Sequence, residues 1–228
     1  ITVNLSPSEI SKKGTHFDLA IALQIAFYDQ KNIDFNDMYF FGELSLDGNI
    51  KDTSSIFPII LSLTKKNLIN KVLVCEESAK KLSNIPNLEI YCVKNLDDAI
   101  TFIKSNKKED FLYKKNPLEY KVLKINDTEY YFDTNYLDDF QDVIGQDMAK
   151  NAALISSAGC HNIIFEGSPG CGKSMISKRL KYIMPPMNLE EILEKAKLQS
   201  LDCKEVDFLP IRAFRSPHHS STKSSIFG

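Results

Sequence analysis

Gly167-Ser168-Pro169-Gly170-Cys171-Gly172-Lys173-Ser174 is an unbroken GxxxxGK(S/T) octapeptide, and its setting decides the fold class. A short apolar run, Asn162 to Glu166, precedes it and reads as a strand. Gly172 to Tyr182 follows and reads as a helix, stopped by Pro185-Pro186. Strand, glycine-rich loop and helix in this order form a phosphate cradle. Gly167, Gly170 and Gly172 allow backbone conformations closed to residues with a Cβ. The backbone N–H groups can then turn inward around phosphate oxygens. The helix start adds the positive end of its dipole to the same anion. Lys173 is expected to reach the β- and γ-phosphates of ATP or GTP, and the Ser174 hydroxyl to ligate Mg²⁺. Ser168, Pro169 and Cys171 complete the loop, Cys171 as a tolerated small residue.

Working outward, Gln146 to Ser157 is rich in Ala and reads as a helix, and Leu189 to Leu198 as another. A second domain is expected to begin at Asp138. Before it, residues 107–137 read as a connector in which Lys121 to Ile125 and Thr128 to Phe132 flank a hairpin turn at Asn126-Asp127.

Residues 1–106 alternate strand and helix signals, which points to an α/β layer structure. Strands are expected at Ile1–Leu5, Met38–Leu44, Lys71–Cys75 and Leu88–Cys92. Helices are expected over Phe17–Tyr28 with Thr15 as N-cap, Ile56–Leu63 and Leu96–Ile103. Asp47-Gly48 signals a two-residue hairpin.

The bulk properties narrow the class. Of 228 residues, 43% are hydrophobic and 25% charged, as in ordinary globular proteins with a sizeable core. The 28 basic and 30 acidic residues leave a net charge of -2, with no global pull toward nucleic acid or anionic membrane. No apolar run approaches the roughly 20 residues that span a bilayer. Five cysteines without a CxxC pair argue against a disulfide framework or zinc site, and a reducing cytoplasm is expected. The start at Ile1 and the polar end at Gly228 suggest that both ends are cut from a longer protein.

Further segments carry a resemblance. Asp139-Phe-Gln-Asp-Val-Ile-Gly-Gln146 resembles the segment that many AAA+ ATPases place against adenine, with Val143 and Ile144 as the apolar contact. Phe214-Arg-Ser-Pro-His-His219 resembles the FRxPHH signature of magnesium-chelatase-like AAA+ ATPases, which singles out Arg215, His218 and His219. With Ile1-Thr-Val-Asn-Leu-Ser-Pro7, Gly14-Thr-His-Phe-Asp-Leu19 and Gly42-Glu-Leu-Ser-Leu-Asp-Gly48, the chain resembles the YifB/ComM family over nearly its whole length. The resemblance implies an α/β chain: an N-terminally truncated ribosomal-protein-S5-like, Lon-like (ChlI-type) domain over 1–106, then the first part of an AAA+ domain over 138–228. It implies ATP and Mg²⁺ as cofactors and a homo-oligomer, a hexameric ring in the parent protein. DNA is a partner that the resemblance allows, and no membrane is implied.

Proteolysis is argued against by the same alignment of motifs. A Lon-type peptidase needs a Ser nucleophile and a Lys base. His16 stands at the Ser position and Phe57 at the Lys position, which implies a non-proteolytic scaffold. A His16–Asp18 catalytic pair is unfavourable, because residues two apart on a helix do not face each other. His218-His219 lacks a third ligand at a typical metal spacing.

No apolar strand ending in Asp-Glu follows the loop, so the catalytic residues are unassigned and hydrolysis by this chain is not expected. Four functions compete: a DNA motor for branch migration or unwinding in recombination and natural transformation, a chelatase-type motor subunit, a peptidase, and a nucleotide-binding scaffold. The first ranks highest for the parent protein.

Overall fold

Lys71-Val-Leu-Val74 forms the central strand of the first of two compact units, Ile1–Glu119 with Ala196–Phe208. The computed structural model describes residues 14–30, 35, 37–105, 107–116, 118–136, 138–217, 220 and 222. The expected strand at Ile1–Leu5 lies outside them. In chain order the first unit carries α1 (Asp18–Ala26), β1 (Tyr39–Phe40), β2 (Glu43–Leu44), β3 (Ile50–Lys51), α2 (Ile56–Lys65), β4 (Lys71–Val74), α3 (Glu76–Leu82), β5 (Glu89–Cys92) and α4 (Leu96–Lys104). Strands β1, β4 and β5 form a parallel sheet in the order β1-β4-β5, with Phe40 opposite Leu73 and Leu73 opposite Tyr91.

Successive strand residues point to opposite faces. Val72, Leu73 and Val74 are nevertheless all buried, so both faces of the sheet are covered, as parallel sheets require. Leu73 and Tyr91 pack in one cluster with Leu19, Leu23 and Phe27 of the α1 region and Ala99 and Phe102 of α4. Phe57 of α2 is buried and meets Phe208 edge-on at 5.9 Å. Asn95 caps α4 by accepting from the Asp98 backbone N–H at 2.8 Å, and Asp97 and Asp98 favour the helix's positive end.

Several boundaries differ from expectation for local reasons. Thr15 does not cap α1; the helix begins at Asp18, and the Thr15 hydroxyl bonds Glu43 instead. The run Met38–Leu44 breaks at Phe41-Gly42 into β1 and β2, which join different sheets. Gly42 donates to the His16 carbonyl at 3.0 Å and accepts from the Leu19 N–H at 3.1 Å. A Cβ there would stand 2.4 Å from Ile50 Cγ2, so only glycine lets α1 and the β2–β3 hairpin approach. The hairpin turn is longer than two residues: Gly48 N–H donates to Ser45 O and Ser45 N–H to Asn49 O, both at 2.9 Å. Gly48, at φ 83°, supplies the left-handed step of that turn. Helix α3 was unforeseen because only Ala79 and Leu82 mark its buried apolar side.

The second unit comprises Tyr120–Lys195 and Leu209–Gly228. Strands β6 (Lys121–Ile125), β7 (Thr128–Phe132) and β8 (Met187–Asn188) pair antiparallel in that order. Asn126 and Asp127 join β6 to β7 with φ 47° and 64°, the backbone of a type I′ turn. Helices α5 (Asp147–Ala158) and α6 (Lys173–Ile183) enclose a small core of Val143, Ala153 and Ile176, supported by Phe140, Phe165, Leu180 and Ile183. Helix α7 (Leu189–Leu201) opens with a reciprocal cap: Asn188 accepts from Glu191 N–H at 2.8 Å while Glu191 accepts from Asn188 N–H at 3.0 Å. Its residues from Ala196 onward group with the first unit, where Ser200 donates to the Ser54 carbonyl at 2.6 Å.

The run Asn162–Glu166 forms no strand among the described residues. A strand exists through its ladder to a neighbour, and here none pairs with it. No helix of the described residues is long and apolar enough to cross a membrane.

Candidate anion-binding loop

The loop at 167–174 runs directly into α6, with Lys173 as the helix's first residue and Gly172 as its N-cap. Gly170 and Gly172 take φ of 82° and 90°, conformations that side chains with a Cβ rarely adopt. The first N–H groups of a helix have no acceptor within it. Gly172 provides no capping side chain, and no acidic residue occupies the first turn of α6. The helix start is therefore left free to meet an anion from outside.

The Lys173 ammonium is folded back over the loop. It donates to the carbonyls of Gly167 and Ser168, both at 2.7 Å, and lies 3.4 Å from Cys171 Sγ. Beside it opens a cleft of about 620 Å³, lined by Ile163, Ile164, Phe165, Lys173, Ser174, Ser177, Lys178, Phe214 and Ser216. Two lysines, Lys173 and Lys178, and three serines, Ser174, Ser177 and Ser216, are among its lining residues. Ser177 and Lys178 follow Lys173 and Ser174 by one helical turn each, which a helix-face reading of α6 could have supplied.

The turn before α5 divides its two apolar residues. Val143 is buried in the core with Ala153 and Ile176, whereas Ile144 is 95% exposed. Asp139 and Asp142 form a capping box that starts this turn. Arg179 of α6 clamps it, donating to the Asp139 carbonyl at 3.0 Å, to Asp138 at 3.1 Å and to Asp142 at 3.3 Å. The Asp139 N–H, and then Arg179, hold the Asp142 carboxyl below its ordinary range. The Asp-x-x-Asp spacing was a readable signal for the box; Arg179, distant in sequence, was not.

Of the FRxPHH segment, Phe214 and Ser216 reach the cleft beside Lys173. Arg215 is exposed, and His218 and His219 lie outside the described residues. In the first unit, His16 is 4% exposed and its Nδ1 meets Ser55 Oγ at 3.0 Å, while Asp18 accepts from Leu44 N–H at 3.4 Å. Burial pushes the His16 imidazole down, partly offset by the Asp18 charge. This Ser55 contact spans 39 residues, so local reading of the helix start could not anticipate it.

Fold and site together define an α/β protein with a glycine-rich loop that opens a helix and faces a cationic cleft. Residues 139–228 match the family described as magnesium chelatase, subunit ChlI, and residues 1–78 match subunit ChlI of Mg-chelatase. The competence protein ComM of Haemophilus influenzae is 33% identical over 232 residues, covering all of this chain and 43% of ComM. The uncharacterized YifB proteins of Salmonella typhimurium and Escherichia coli are 29% and 28% identical, again over the whole chain and 43% of each relative. The two family matches and the relatives that align over the whole chain support a magnesium-chelatase-like assignment of the YifB/ComM type. The chain spans less than half the length of these relatives.

Proposed function

We propose that this chain carries the nucleotide-binding loop of an AAA+ ATPase and takes up ATP with Mg²⁺ at residues 167–174. The observation that carries the reading is the loop–helix junction: left-handed glycines, an uncapped helix start, and Lys173 bonded to loop carbonyls and a thiol. These residues fit a triphosphate. Lys173 exchanges its two carbonyl partners for phosphate oxygens, a stronger charge-assisted bond. The first N–H groups of α6 face the same anion. Ser174, in the cleft beside Lys173, offers its hydroxyl to Mg²⁺. Exposed Ile144 is positioned by the Arg179 clamp to offer the base an apolar contact, while the Val143 side chain is held in the core.

Phosphoryl transfer to water needs a carboxylate near the attacking water. The residue that would supply that carboxylate is left unassigned. For the parent protein the reading is a ring-forming motor acting on DNA, on the strength of the likeness to a competence protein. The first unit serves as a Lon-like, non-proteolytic scaffold. Phe57, which the resemblance sets at the Lys position, carries no amine and packs against Phe208. Titration with a fluorescent ATP analogue and Mg²⁺ tests the binding reading: saturable uptake displaced by plain ATP supports it, and no uptake sinks it. Unwinding of forked DNA by the full-length protein, dependent on ATP, tests the motor.

A further inference from the structure

Phe214 and Ser216 stand 40 and 42 residues beyond Ser174 in sequence, yet they line the same cleft as Lys173 and Ser174. Ile163, Ile164 and Phe165 are its other apolar lining residues, and Ile164 is almost fully exposed. The cleft thus joins a cationic, hydroxyl-rich floor on α6 to an apolar rim that Phe214 completes. A polyanion with an uncharged organic part matches both halves: ammonium groups and hydroxyls take the charge, and an aromatic edge excludes water from it. Phe214 is 41% exposed, so its ring is only partly held by the fold and has surface left to contact a ligand.

We propose that the segment Phe214-Arg215-Ser216-Pro217 forms the nucleotide-facing wall of the cleft and governs how long the nucleotide stays. This rests on the reading of residues 167–174 as the nucleotide loop. Phe214 covers the bound molecule against water, and Ser216 adds a hydroxyl to those of Ser174 and Ser177. The segment acts as a positioning element: it sets residence and leaves the chemistry of transfer elsewhere.

The protein contains no tryptophan, so Phe214→Trp places a single fluorophore at this wall. Mg·ATP titrated into that variant should change its emission with the same midpoint that calorimetry gives for binding. In parallel, chase of a fluorescent ATP analogue from Phe214→Ala should show release about tenfold faster than from the parent chain. Ser216→Ala should accelerate release by a smaller factor. Calorimetric binding with silent Trp emission and unchanged release overturns the wall and leaves the loop reading standing. Absence of calorimetric binding in the parent chain overturns both.

Discussion

In the first unit β4 buries Val72, Leu73 and Val74 on both faces of its sheet; in the second, the run 162–166 pairs with no strand among the described residues and leaves Ile164 bare. Both runs are short and apolar, and sequence alone gave them the same reading. The difference lies in what surrounds them. β4 has a parallel neighbour on each side, β1 and β5, and its Leu73 packs with residues of the α1 region and of α4. The run 162–166 sits beside the loop and borders a cleft. One unit is held by a closed core; the other sets a small buried cluster of Val143, Ala153 and Ile176 beside displayed polar and apolar groups. Displayed groups are what binding uses, and they contribute little to stability.

Substitutions can break this contrast. Phe57→Ala, in the closed core, should cost about 3–5 kcal/mol of stability in chemical denaturation. A loss below about 1 kcal/mol would mean the core relaxes freely and the contrast is overstated. Val143→Ala and Ile144→Ala sharpen the comparison within a single turn. The first removes a buried side chain and should cost about 2 kcal/mol. The second trims an exposed side chain and should stay within about 0.5 kcal/mol while weakening ATP binding. Equal destabilisation by both would contradict the division of that turn.

The smallest effect concerns His16. Its folded imidazole titrates lower than the unfolded one because of burial. The unfolded chain therefore binds a proton that the folded chain refuses, and stability falls as pH drops below the ordinary value of 6.5. The stability contribution is present above that value and is lost toward the lowered folded value. His16→Gln should flatten the slope of stability against pH just below 6.5. An unchanged slope would assign it to other groups.

What was legible follows physical range. The β6–β7 hairpin was readable with its Asn126-Asp127 turn because a type I′ turn demands residues that tolerate positive φ. Helices α2, α4, α5 and α6 were readable from periodicity, caps and the loop glycines. The two-residue strand β8 was not, since it exists only through its bonds to Tyr130 and Tyr131 of β7. The same holds for the His16–Ser55 contact, the Arg179 clamp and the arrival of Phe214 at the cleft, each set by chain segments far apart. The loop itself was fully written in eight residues; which residues face it was not.

The Lys173 ammonium, held by two loop carbonyls, is the group proposed to take phosphate. Equilibrium binding of a fluorescent ATP analogue with Mg²⁺ to the parent chain and to Lys173→Ala tests it most directly. The account predicts saturable binding that weakens about 100-fold in the variant, with thermal stability retained. Equal affinities for the two chains would contradict it.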